Sequence, residues 1–169
     1  MWSEAQGRRC IVLGSAPSAF LPSPESYDCS IVISGAIALM PAPDIWVVNA
    51  HTLKANTSSR QQTVARYHGR SVGRLVCLDL PIPREMVHWM REHRVTASTV
   101  TKLSRTARGR ALERVGYNTK RSPSTGMMSV AFALLSGAST VMMAGFSTER
   151  GHFYDDSAVR MHVVEDQAL

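Results

Sequence analysis

The sequence predicts an α/β fold, a three-layer sandwich built on a mostly parallel sheet of about five or more strands. Three observations carry that expectation. Five short apolar runs, rich in Val and Ile, are continuous instead of alternating, as in strands covered on both faces. Helix-like segments lie between them, the order expected of parallel strands joined by right-handed crossovers. At 169 residues and 44% hydrophobic content, the chain can bury one full core, so residues 1–169 are expected to form one domain.

The first apolar run is "RCIVLG", residues 9–14, and it passes straight into Gly14-Ser15-Ala16-Pro17-Ser18. A turn of small residues directly after a strand marks a place where something approaches the backbone closely. It lacks the third glycine of a dinucleotide fingerprint and the Gly-Lys-Ser/Thr of a P-loop. The next runs are "CSIVIS" (29–34), "DIWVVN" (44–49), "RLVCLDL" (74–80) and "TVMMAGF" (140–146). Between them, "TLKANTSSRQQTVARYH" (52–68) reads as a helix. So does "PREMVHWMREH" (83–93), with Pro83 at a helix start and Met86, Val87 and Met90 on one side. From Ala97 to Val115, apolar residues recur every three or four positions, while Lys102, Arg105, Arg108 and Arg110 fall largely on other faces. That spacing predicts one basic amphipathic helix with its charges in solvent. "STGMMSVAFALLSGAST" (124–140) is apolar nearly all round and predicts a buried helix that ends at Gly137.

Bulk properties narrow the classes. No run of about 18 apolar residues exists, so no membrane span is expected. Residues 1–9 are polar and charged, unlike a secretory signal. Cys10, Cys29 and Cys77 follow no metal or disulfide spacing and read as small core residues of a reduced compartment, the cytoplasm. The formal charge is +6, concentrated between Arg60 and Arg121, where Asp79, Glu85, Glu92 and Glu113 are the acids. A basic middle suits a nucleic acid, a nucleotide phosphate or an acidic partner; it is equally the solvated face of ordinary helices.

In open parallel sheets, ligands bind beyond the carboxyl ends of the strands, near the point where the winding reverses. That rule makes a candidate site of Gly14, Ser15 and Ser18, of Ser34 and Gly35, of Asn49, His51 and Thr52, and of Gly145 to Ser147. The loop "RSPSTG" opens the buried helix with hydroxyls and backbone N–H groups, a geometry suited to anions.

Two motifs together carry a resemblance. "IVLGSAPSAF" is similar to the opening Gly-Asn-Gly-Pro-Ser strand and turn of bacterial sialyltransferases of the Campylobacter lipooligosaccharide type. "SPSTGMMSVAFALLSGASTVMMAGF" resembles their Thr-Ser-Gly loop, buried helix and following strand, and His162 then stands near the end of the sequence. The related hydroxymethylpterin pyrophosphokinase-like proteins share the first turn and the buried helix. The resemblance implies a Rossmann-like nucleotide-binding sandwich, a CMP-linked or related sugar donor, and inverting, metal-free transfer. It places Gly14, Ser15, Ala16, Pro17 and Ser18 at the donor phosphate and ribose, and Asn49 at the nucleotide. Ser124, Thr125 and Gly126 would face the cytidine and the donor carboxylate, with Gly145 as the strand-end glycine. His162 would be the general base and Tyr154 would stand at the leaving phosphate. The sequence departs from that pattern at Ser15 and Ser147, which replace Asn and Asp, and at Met142, which replaces a tyrosine. Ser122 stands in place of an arginine, with Arg121 beside it.

The residue chemistry agrees with part of this. If the segment is helical, Glu165 and Asp166, three and four residues after His162, share a face with it and would raise its pKa or orient its ring. His152, Tyr154, Asp155 and Asp156 form a polar cluster that is either solvated loop or a holder for Mg²⁺ on a diphosphate. His68, His88 and His93 read as structural, and no Ser-His-Asp order has the strand–turn context of a hydrolase. The leading expectation is a small glycosyltransferase with a nucleotide-sugar donor, an acceptor glycan and no cofactor. A pterin-type pyrophosphokinase using Mg²⁺ stays open. So does a nucleotide- or nucleic-acid-binding module, or a transferase acting on DNA or another polyanion through Lys102, Arg105, Arg108 and Arg121.

Overall fold

The computed structural model describes residues 1–16, 21–49, 66–78, 83–117 and 123–146. Among the described residues, six strands form one sheet: β1 (Arg9–Leu13), β2 (Cys29–Ile33), β3 (Ile45–Asn49), β4 (Ser71–Leu78), β5 (Thr96–Leu103) and β6 (Thr140–Ala144). Their order is β5-β4-β3-β2-β1-β6, and every neighbouring pair is parallel. The chain winds outward from β1 to β5, then returns to place β6 on the far side of β1. The expected α/β, Rossmann-like architecture is therefore present.

Alternation along each strand divides the core into two layers. Ile11, Leu13, Val32, Trp46, Val48, Leu75 and Cys77 face one side, packed with Tyr67 and with Met86 and Trp89 of helix α1 (Pro83–Glu92). Trp46 lies edge-on to Tyr67 with ring centroids 4.9 Å apart. Cys10, Val12, Ile31, Ile45, Val47 and Val76 face the other side. They pack on Trp2, on Ala111 of helix α2 (Arg105–Arg114) and on Met128, Phe132 and Ala133 of helix α3 (Thr125–Leu135). Helix α3 is buried on nearly every face, as its composition predicts, and stops where Gly137 adopts a φ of 82°. No helix among the described residues is long and apolar enough to cross a membrane.

Three expectations need correction. Residues 97–115 are not one helix: Thr96–Leu103 is edge strand β5, and only Arg105–Arg114 is helical. The three- and four-residue spacing spanned two elements, and Ser104, whose Oγ accepts from the Ala107 N–H at 3.2 Å, caps the true helix start. Thr96, Thr99, Thr101 and Val100 supply the β-branched content that favours an exposed edge strand. Second, β6 is not covered on both faces; it is the other edge, and Met143 is 47% exposed. Third, Val87 of α1 points outward, 56% exposed, and Trp89 takes the core position beside Met86. The helix expected over 52–68 lies mostly outside the described residues.

Candidate functional site

The amino ends of the strands are closed by polar pairs within the chain. The Asp28 carboxylate accepts from Arg9 Nη2 at 2.8 Å and from Arg9 Nε at 3.0 Å. Those hydrogen bonds, with one from the Arg9 backbone N–H, hold the Asp28 carboxyl down at about 2. Glu4 accepts from Arg74 Nε at 2.8 Å, and Arg74 Nη1 donates to Thr101 Oγ1 at 2.7 Å. Burial alone would push Glu4 up, but hydrogen bonds from its own backbone and from Arg74 outweigh it, and its pKa falls. Asp44 accepts from both the N–H and the hydroxyl of Ser30.

The carboxyl ends are built otherwise. After β1, the Gly14 N–H donates to Ala144 O and the Ala16 N–H to Gly145 O, each at 2.8 Å. These bonds extend the β1–β6 ladder past the strand ends and lock the turn after β1 to the turn after β6. Gly145 holds a φ of 69°, a conformation that favours glycine, and Phe146 after it packs against the apolar layer that includes Met128 and Phe132. A Cβ on Gly14 would lie 2.5 Å from the Gly145 carbonyl oxygen, and one on Gly126 would lie 2.6 Å from Phe146 Cε1. The question posed by the small-residue turn is thus answered from inside the chain: what approaches Gly14 is Gly145 and Phe146. Gly14 and Gly126 are required by packing, which the sequence alone does not reveal.

The polar atoms of this edge belong to other residues. Ser124 caps α3, its Oγ accepting from the Met127 N–H at 3.2 Å, which leaves the first-turn N–H groups of a buried helix at the carboxyl edge. Ser15, Asn49, Ser124 and Thr125 are all half-buried. Asn49 ends β3, two strands from β1, level with Leu78 of β4. Ser34, at the end of β2 between them, holds a φ of 45°, uncommon for a residue with a side chain; its carbonyl accepts from Trp46 Nε1 at 3.1 Å. A rim of short neutral side chains and backbone N–H groups suits the phosphate and hydroxyls of a nucleotide, where water must be displaced without burying an opposing carboxylate.

The structure therefore brings Gly14, Ser15, Ala16, Gly126 and Gly145 together, with Ser124 and Thr125 in the adjoining turn. Lys102, Arg105 and Arg108 are elsewhere, around the β5–α2 junction. β5 stands four strand spacings from β1, about 19 Å at about 4.8 Å each. Lys102 and Arg105 are exposed, but Arg108 is buried at 7%, which corrects the expectation that it faces solvent. Pro17, Ser18, Arg121, Tyr154, Asp155, Asp156 and His162 lie outside the described residues, as do His51, Thr52 and Ser147. Phe146 falls within the strand-end stretch Gly145 to Ser147, but the sequence reading gave it no part in the cluster; what it did not show is that this ring packs against Gly126 and Gly14.

Cysteine chemistry has no place in the described site. All three thiols are buried and free. Burial pushes Cys77 up to about 12 and also raises Cys10 and Cys29, so none is a thiolate near neutral pH. Among the described residues, no group of three or more His, Cys, Asp or Glu side chains forms a metal site. His93 stacks on Trp89 at 4.7 Å, and its Nδ1 lies 3.0 Å from Trp89 O, a helix-end packing role.

No protein-family model matches this chain, and no curated protein matches it. Among solved structures, it is similar to the apo crystal structure of alpha-2,3-sialyltransferase from Campylobacter jejuni, at 12% sequence identity and a TM-score of 0.46. The match covers 87% of this chain and 62% of that one, so the chain spans less than two thirds of the length of that structure.

Proposed function

We propose that the chain is a glycosyltransferase that takes a sugar from a nucleotide donor, CMP-linked or closely related, and passes it with inversion to an acceptor hydroxyl. The observation that carries this reading is the meeting of the β1 turn, the β6 turn and the first turn of α3 at one carboxyl edge. In the proposed complex, the donor phosphate lies against the backbone of Ser15 and Ala16 and the N–H groups that follow Ser124. Asn49 and Thr125 contact the nucleoside. The motif resemblance in "IVLGSAPSAF" and "SPSTGMM" supports the same placement.

In this mechanism His162 takes the proton of the acceptor hydroxyl as its oxygen bonds to the anomeric carbon. The bond from that carbon to the phosphate oxygen breaks, and the nucleoside monophosphate leaves with Tyr154 donating a hydrogen bond to it. No metal is required. The test is release of CMP from a CMP-sugar in the presence of candidate acceptors. His162→Ala should lower turnover by about 10²–10⁴-fold with donor affinity unchanged. Equal turnover in that variant removes His162 from the mechanism.

A second reading has its own observation. Lys102 and Arg105 are exposed at the same edge of the sheet, about 19 Å along it from β1. An acceptor that is a polyanion such as DNA would span that distance. Retention on DNA that weakens steeply with added salt supports it, and absence of retention at low salt ends it.

A further inference from the structure

Cys10 and Cys29 are register partners on the adjacent parallel strands β1 and β2, and both face the layer that packs on α3. Partners on neighbouring strands stand about 4.8 Å apart, inside the range that a disulfide spans between Cα atoms. Here the two thiols are close enough to hydrogen-bond to one another. Both residues are fully buried, and part of what covers them is the first segment of the chain. Trp2 and Ala5 belong to the same apolar cluster, and the Cys10 thiol lies 3.9 Å from Ala5 O and 3.7 Å from Arg8 O. That segment is a strap. The Trp2 ring stacks on Phe132 at 5.4 Å, the Trp2 backbone N–H donates to Ser136 Oγ at 2.8 Å, and Glu4 pairs with Arg74. Cys77 differs on both counts. It faces the opposite layer, with its Sγ 3.6 Å from Met86 Sδ, and its register partners are Val48 and Lys102.

We infer that Cys10 and Cys29 are a reversible dithiol–disulfide site for a peroxide-class oxidant, and that release of the strap, residues 1–6, gates it. The site is independent of the function proposed above. While the strap is seated both thiols stay protonated, because burial raises each of them. A chain terminus opens at lower cost than core strands do. Once it is open, the Cys10 thiol gives its proton to water and its sulfur attacks one oxygen of hydrogen peroxide. The O–O bond breaks, a sulfenic acid forms and hydroxide leaves. The Cys29 thiol loses its proton in turn and its sulfur attacks the sulfenic sulfur. The S–S bond forms, the S–O bond breaks and a second hydroxide leaves. The two hydroxides take up the two thiol protons as water, and two electrons have passed from sulfur to peroxide. Sheet spacing holds the Cβ atoms wider than the usual separation of about 3.5–4.5 Å, so the bond forms under strain and a dithiol reductant opens it readily.

The test treats the intact chain with hydrogen peroxide and follows each cysteine by mass spectrometry of thiol-labelled peptides, with melting curves in parallel. Cys10 and Cys29 should disappear together into one linked peptide pair that dithiothreitol separates. They should do so about tenfold or more faster than Cys77 reacts, because Cys77 waits for the core to open. Trp2→Ala removes the ring that anchors the strap and should speed formation of the link by about tenfold or more. Glu4→Gln keeps the apolar contacts of the strap and loses the charge facing Arg74. It should speed the link by about twofold or more, and it carries the test if Trp2→Ala does not fold. Loss of all three thiols at one common rate means that only global unfolding uncovers them, and overturns the inference. Oxidation of Cys10 without a link to Cys29 overturns it as well. So does a link whose rate is the same in the parent and in the folded strap variants.

Discussion

The two ends of the sheet are made from the same strands by opposite means. At the amino end, Arg9 meets Asp28, Arg74 bridges Glu4 and Thr101, and Asp44 takes both hydrogen bonds that Ser30 offers. Charges there are paired inside the chain, and the end is closed. At the carboxyl end, glycines, serines and a threonine surround strand and helix termini, and the closest contacts are backbone to backbone or ring to backbone. The first end contributes stability and specifies how the strands are assembled. The second presents N–H groups and hydroxyls to whatever enters. The division follows from the parallel sheet, in which one edge collects the loops that lead out of strands and the buried N-terminus of α3.

Breaking the lock at the carboxyl end should have the largest effect. Gly14→Val places a Cβ 2.5 Å from the Gly145 carbonyl, backbone that cannot rotate away. A destabilisation of about 1–3 kcal/mol or more is expected, measured by chemical denaturation. A variant as stable as the parent would show that the two turns are not locked. Next comes the amino end. Arg74→Met leaves the half-buried Glu4 without its guanidinium and should cost about 1 kcal/mol, without changing nucleotide affinity. A loss of affinity there would blur the division between the two ends.

The smallest effect belongs to the exposed Asp28. Its carboxyl is held at about 2 against an ordinary 3.8, so the fold favours the charged form. The stability it contributes is complete above its unfolded pKa and is lost as pH falls from 3.8 towards 2. Asp28→Asn should therefore flatten the acid limb of the stability profile in that window and change little at neutral pH. An unchanged acid limb would mean that the pair with Arg9 adds nothing to the fold.

Much of this was legible in residue patterns, and the failures share a cause. Buried strands announce themselves: β1, β2 and β3 start or stop within a residue of their apolar runs, and the all-round apolar α3 runs from its Ser124 cap to Gly137. Edge strands do not. In β5, Thr, Ser and Lys face solvent, and a four-residue rhythm carried on into α2 made two elements look like one. Gly14, Ser15, Asn49 and Gly145, which the strand-end rule grouped, do lie along one edge of the sheet, because topology alone determines that placement. That rule did not explain the glycines. Their reason is Phe146, which stands 132 positions after Gly14 in sequence and meets it only once β6 has been inserted beside β1. Burial of Arg108 is a similar case: it sits one turn before Ala111 and Leu112 on the inward side of α2, a face visible only when the helix start is known to be Arg105.

The central claim is that the first turn of α3 faces a phosphate, and Thr125→Glu tests it most directly. Thr125 is the first residue of the helix, half-buried, and the first turn carries no acidic residue. A carboxylate there complements the helix dipole, so stability should hold or rise by about 0.3–1 kcal/mol. The same charge would oppose a bound phosphate. Calorimetric titration of parent and variant with CMP, with melting curves on both, should show binding lost while the melting temperature is kept or raised. Equal CMP affinity in a folded Thr125→Glu variant would contradict the account and remove the helix terminus from the site.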